Sequence, residues 1–223
     1  MAAGFANILI EIGANLLYSI VAQTAPGVPM NLTGYTAAMV VRSALAFSAV
    51  QLLAPTCTVQ NAAFSGTISG TTLTLTSATV GTIFTQVTLS TGAVVAGQVL
   101  AVNGVPQNCT IQTYIGGGTG SGTVGAQYTL SASPSGGNVT AQPMTAYNGT
   151  IAITATPAQT AALTALLSNL PSNLVSVPIG YDSLGNPANA TGYQAYYALE
   201  ITDSSGNVTR LLQGTALISP QVV

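Results

Sequence analysis

Six side chains carry all the formal charge of this sequence: Glu11, Arg42, Asp182, Glu200, Asp203 and Arg210, with no lysine and no histidine among 223 residues. Acid–base catalysis draws first on histidine and then on paired carboxylates, and the only acids close in sequence are Glu200 and Asp203. Read together with Asp182 they suggest a calcium site, but calcium loops gather several oxygens within a short spacing. These three are too dispersed for that. Glu200 has a better assignment. Pairing the 196–202 and 208–219 segments symmetrically about Ser205 sets it opposite Arg210, a structural ion pair worth about 0.2–1 kcal/mol.

Two thiols remain, Cys57 and Cys109. They are too few for a metal cluster; as an even pair they could form one disulfide, which requires a Cα separation below about 7 Å. Gly120-Ser121-Gly122-Thr123-Val124-Gly125 has the spacing G-x-G-x-x-G. A dinucleotide site needs a strand before it, a helix after it and an acid about 20 residues on. Here a strand pattern follows and the next acid is Asp182, so the segment reads as a flexible turn. No cofactor and no metal are expected, and no catalytic residue is assigned. Asn-x-Ser/Thr sequons at Asn31, Asn108, Asn138, Asn148, Asn189 and Asn207 are inert without a secretory signal. Tyr193 and Tyr196 are candidate partner contacts, whereas Tyr197 alternates with Leu199 and Ile201 and is assigned to the core.

Composition narrows the function classes. A domain of ordinary composition is about 25% charged; here the figure is 3%, and no charge occurs between Arg42 and Asp182. Enzyme chemistry is not expected. A net charge of −2 provides no basic surface for nucleic acid. The low charge does not imply disorder, since 48% of residues are hydrophobic. The apolar run ILIEIGANLLYSIVA at 8–22 falls short of the roughly 20 residues of a spanning helix and is interrupted by Glu11, Gly13 and Asn15. Nor does any basic n-region precede it, since the first positive side chain is Arg42. Membrane insertion is therefore not expected, and alternation makes the run two strands or one bent strand.

The elements that position these groups are mostly strands. Residues 64–146 contain no charge and hold 14 of the 24 glycines. Strand patterns fall there at 67–76, 82–90, 94–102, 110–115 and 127–132, separated by Gly-rich turns. One helix is expected: Thr156 caps it, Pro157 takes the first position, and Gln159 completes a capping box. Its apolar stripe would be Ala161, Ala162, Leu163, Leu166 and Leu167, and Pro171 would end it.

The outer segments resemble a family of tailed-bacteriophage virion proteins. NILIEIGANLLYSIVAQTAPGVPMNLTGYTAAMVVR, GTIAITATPAQTAALTALL and YYALEITDSSGNVTRLLQGTALISPQV carry the resemblance, with Gly34, Tyr35, Arg42, Thr160, Ala161, Leu163, Gly206, Val208, Arg210, Gly214 and Pro220 on the family pattern. The resemblance implies an immunoglobulin-like β-sandwich used in tail, baseplate and fibre-attachment parts, and gives none of these residues a catalytic role. FSGTISGTTLTLT, GAVVAGQVLAVNGV, TIQTYIGGGTGSGTVGAQYTLSAS and the closing MTA resemble a second recurrent phage segment. The implied architecture is all-β: a discontinuous sandwich docking domain of residues 1–58 and 147–223, with one short helix, interrupted by an inserted Gly/Thr-rich uncharged β-domain at 64–146.

The function so implied is a non-enzymatic structural component of a tailed-phage virion, present in multiple copies, in the tail, neck, baseplate or fibre-attachment region. Its partners would be other virion proteins and copies of itself, with neither nucleic acid nor membrane. Assembly in the host cytoplasm, a reducing compartment, favours free thiols. A net charge near zero promotes association, and strands rich in Thr, Ser and Asn can build interfaces with few ions to desolvate. The alternatives are a capsid decoration (cement) protein, or a receptor- or glycan-binding module using Tyr193, Tyr196 and the 116–125 loop.

Overall fold

Alternating apolar and polar residues dominate the sequence, and the fold they produce is all-β with one short helical segment. The structure is a computed structural model and describes residues 4–46, 48–85, 88–91, 94, 96–169, 175–178 and 191–219. The chain begins with β1 (Gly4–Phe5), β2 (Ile8–Glu11), β3 (Leu16–Val21), β4 (Gln23–Ala25), β5 (Val28–Pro29), β6 (Thr36–Arg42) and β7 (Gln51–Leu53). The Gly/Thr-rich middle supplies β8 (Thr56–Ser69), β9 (Thr72–Leu75), β10 (Val80–Thr85), β11 (Thr88–Thr91), β12 (Val99–Val102), β13 (Val105–Gly116), β14 (Gln127–Leu130) and β15 (Val139–Ala155). After them come α1 (Pro157–Ala161), α2 (Leu163–Ser168), β16 (Val175–Pro178), β17 (Thr191–Thr202) and β18 (Val208–Ser219). Among the described residues no helix is long and apolar enough to cross a membrane.

Two compact units form, one from Met1–Ser19, Tyr35–Cys57 and Ala152–Val223, the other from Ile20–Gly34 and Thr58–Ile151. The first contains a seven-stranded sheet ordered β1-β18-β17-β6-β7, with β2 also on β18 and β16 on β17. Both β1 and β2 run parallel to β18, whereas β17 is antiparallel to β18 and to β6. One face of this sheet is core: Ile8, Ile10, Met39, Val41, Ala195, Tyr197, Leu199, Ile201, Ala216 and Ile218 are all buried. Burying Ile8 and Ile10 stabilises the N-terminal edge by about 1.5–3 kcal/mol each. Tyr197 adds a hydroxyl hydrogen bond of 3.0 Å to the Ala6 carbonyl.

The second unit holds a closed barrel. Its sheet runs β11-β10-β8-β9-β14-β13-β12-β15-β3, and a further pairing of β8 with β15 joins six of these strands into a ring. Inside it lie Phe64, Ile68, Leu73, Leu75, Leu100, Ile111, Tyr128, Leu130 and Met144, with Cys109. The segments expected as single strands at 67–76 and 82–90 are each two antiparallel strands. In the first, Gly70 at φ +57 turns the chain, a conformation open to glycine without steric cost.

The unit boundaries also differ from the division at 58 and 147, because Ile20–Gly34 groups with the barrel unit. The Ala22 N–H donates to the Gly149 carbonyl at 2.8 Å, and the Met30 N–H donates to the Ala22 carbonyl at 2.8 Å. Gly149, at φ +71, could not carry a Cβ against the Ala22 carbonyl. The 8–22 run becomes two strands in two different sheets, β2 and β3, with Gly13 at φ +79 in the turn between them.

The helical segment has its capping box, with Gln159 N–H donating to the Thr156 hydroxyl and Thr156 N–H donating to Gln159 Oε1 at 2.8 Å. Its buried face, however, is Thr160, Leu163 and Leu167, while Ala161, Ala162 and Leu166 are exposed. The reason is a polar anchor: Thr160 Oγ1 donates to the Ala14 carbonyl at 2.7 Å, which turns the threonine inward. Asn169 caps the end, its Nδ2 donating to the Ala165 carbonyl at 3.0 Å. Pro171, expected to stop the helix, lies outside the described residues.

Candidate functional site

Alternation along β17 sorts its side chains between two faces. Ala195, Tyr197, Leu199 and Ile201 are buried, whereas Gln194, Tyr196, Ala198 and Glu200 on the other face are only half-buried. Register extends that outer face across neighbouring strands. Ala198 lies between Val40 of β6 and Gln213 of β18, and Gln213 is in turn opposite Phe5. Tyr196 lies between Arg42 and Thr215. Gln194 faces Leu217, which faces Leu9. Phe5 is 72% exposed and Leu9 50%. The result is a sheet face of apolar and neutral polar side chains interrupted by Glu11, Arg42 and the Glu200–Arg210 pair, a surface another protein can cover with few ions to desolvate.

One ion pair lies at the end of this face, and Arg42 lies within it beside Tyr196. Glu200 pairs with Arg210 in register, and Arg210 Nη2 and Nε donate to Glu200 Oε1 at 2.8 and 3.1 Å. Both side chains are substantially exposed, so the pair contributes little to stability. Arg42 donates from Nη1 to the Ala49 carbonyl at 3.0 Å. Asp203 organises the turn that follows β17. Its carboxylate accepts from the Asn207 side-chain amide and from the Asn207 and Ser205 backbone N–H groups, each at 2.9 Å. These donors, the Asn207 side chain first, hold the Asp203 carboxyl below its ordinary value. Asp203 therefore serves the turn, and the third acid of the calcium reading, Asp182, lies outside the described residues. Among those residues no three His, Cys, Asp or Glu side chains cluster as metal ligands.

Tyr193 and Tyr196 do not form one patch. They differ by an odd number of positions on a regular strand, so Tyr193 shares the face of Tyr197 and lies opposite Ile218, while Tyr196 shares the outer face with Glu200. Phe5 and Leu9 contribute more exposed apolar surface to the outer face than either tyrosine. Neither stands out in sequence, because isolated apolar residues near the N-terminus acquire this role only when β1 and β2 add in parallel to β18.

The 116–125 loop, which includes the Gly120–Gly125 turn, is held by hydrogen bonds to the barrel strands. The Gly122 N–H donates to the Tyr128 hydroxyl at 2.6 Å, Tyr114 Oη donates to the Gly117 carbonyl at 2.7 Å, and Gly125 N–H donates to the Leu75 carbonyl at 2.8 Å. A Cβ at Gly117 would collide with the Gly125 carbonyl. The glycines here permit close self-packing of a pinned loop.

Cys57 and Cys109 are both free thiols. Burial pushes Cys57 up to about 11, opposed by a hydrogen bond from the Met39 backbone, and burial also raises Cys109. Since the thiolate is the nucleophile, neither is activated. Cys109 also borders a cavity of about 380 Å³ in the barrel unit, lined further by Val28, Pro29, Val99, Pro106 and Tyr147. Its lining holds no charged side chain. No protein-family model matches the chain, and no curated protein matches it in sequence.

Proposed function

We propose that this chain is a non-enzymatic structural component of a tailed-phage virion, present in multiple copies and docked to other virion proteins through the outer face of β1, β2, β18, β17 and β6. The observation that supports this reading most is that face: a broad surface with Phe5, Leu9 and Val40 among neutral polar groups, where charge is confined to Glu11, Arg42 and one ion pair. The sequence resemblance of the outer segments supplies the class of assembly, and with it the finer fold reading of an immunoglobulin-like sandwich for the first unit. The tail, neck, baseplate or fibre-attachment region is the proposed location. A covered sheet face of this composition needs no catalytic group, which fits thiols held neutral and carboxylates engaged in a turn and an ion pair. The test is immunogold labelling of particles purified from a phage carrying the gene. Label at a fixed structural position is the expected result; chain found only outside particles would overturn the reading.

A further inference from the structure

We propose that β3 is a pairing edge through which two copies of this chain join antiparallel, centred on Ser19. This goes beyond the virion reading and does not depend on it. In the nine-stranded sheet β3 is one of two terminal strands, with β15 as its neighbour, and the other, β11, has only four residues. An edge strand presents a row of N–H and C=O groups to any extended chain, and folded proteins commonly blunt such edges with lysine, proline, bulges or brevity. The edges of the seven-stranded sheet are blunted in this way. β1 and β2 have two and four residues with Glu11 at the end, and β7 has three. By contrast β3 has six residues, LLYSIV, with neither charge nor proline. Leu17, Tyr18 and Val21 are 48%, 37% and 54% exposed, so apolar surface is open on both faces of the strand.

Backbone alternation fixes which groups are available. The Ala22 N–H points to Gly149 of β15, so the N–H and C=O groups of Leu17, Ser19 and Val21 point the opposite way, to the open edge. A two-fold antiparallel pairing about Ser19 matches them: Ser19 with Ser19 of the second copy, Leu17 with Val21, and Val21 with Leu17, all as hydrogen-bonded pairs. The same register sets Tyr18 against Ile20, an aromatic and β-branched pair of the kind that stabilises cross-strand contacts. Charge favours a second copy as the occupant, because a chain of 223 residues with net charge −2 and no lysine opposes its own association very little.

Two measurements on the full chain test this. Sedimentation velocity over a concentration series should show a reversible dimer, and Leu17→Lys with Val21→Lys should weaken it at least about tenfold with an unchanged melting temperature. Opposed Ser19 Cα atoms would lie about 5.5 Å apart, within disulfide range. Under mild oxidation Ser19→Cys should therefore form a covalent dimer much faster than Ser205→Cys, which places the thiol on the exposed 203–207 turn. A monomer at every concentration, or equal cross-linking of Ser19→Cys and Ser205→Cys, would overturn the proposal. A dimer that keeps its affinity in the double lysine variant would overturn it as well.

Discussion

With only two cations in the chain, the effect of Arg210 can be isolated cleanly. Arg210→Ala removes an exposed pair worth about 0.2–1 kcal/mol, and for a chain of this size the melting temperature should fall by about 0.4–4 °C. Added salt should shrink the difference between wild type and variant, since exposed pairs are screened; an effect insensitive to salt would mean that packing is responsible. A second residue-scale expectation concerns alkali. Burial pushes Cys57 up to about 11 from an ordinary 9.0, and burial together with the Tyr18 hydroxyl pushes Tyr197 up to about 12 from 10.0. The folded state holds these protons more tightly than the unfolded state, so their contribution to stability is fully present below pH 9 and is lost as pH rises through 12. Urea midpoints should decline over that window, and Cys57→Ala should delay the onset; a flat profile would contradict the assignment. The juxtaposition of Glu200 and Arg210 was legible because so few charges compete and the turn between them is short. What the sequence does not reveal is that the register slips immediately beyond: Leu199 faces Leu212, so Leu211 is skipped and Tyr197 meets Gly214. A bulge of one residue leaves no local signature in a run of mixed apolar and polar side chains.

At the scale of elements, the N-terminal edge depends on one glycine. Gly214 lies where a Cβ would collide with the Ala6 carbonyl, the same carbonyl that accepts from Tyr197. Gly214→Ala should therefore detach β1 and β2 from β18 and cost at least about 3 kcal/mol, the burial of Ile8 and Ile10. Hydrogen exchange would show the amides of 4–12 losing protection well before those of β17; uniform protection would contradict this. The capping box at Thr156 was readable, since it is a local pattern of hydroxyl and amide at fixed spacing. The buried face of the helix was not. Counting apolar residues selects Ala161, Ala162 and Leu166, but the tertiary partner of Thr160 is the Ala14 carbonyl, far away in sequence. A polar side chain that satisfies a distant backbone group overrides the apolar stripe, and nothing within the helix announces it.

Over the whole molecule, composition separates an uncharged middle from sparsely charged flanks. Barrel closure, in contrast, rests on β8 meeting β15, strands separated by most of the second unit. Such pairing follows from the twist and register of every strand between them, which no local period encodes. The same holds for Ile20–Gly34, which meets β15 through the hydrogen bond from Ala22 to Gly149 and the bare Cα of that glycine. The outer face of the seven-stranded sheet likewise emerges only after β1, β2, β6 and β18 align beside β17. Its proposed role is open to direct measurement through Leu9→Lys combined with Gln213→Lys, two exposed positions whose substitution should leave stability within about 0.5 kcal/mol. Quantitative mass spectrometry of purified particles should find several copies of the wild-type chain per particle and a strong loss of the double variant. Absence of the wild-type chain from particles, or equal incorporation of the variant, would contradict the account.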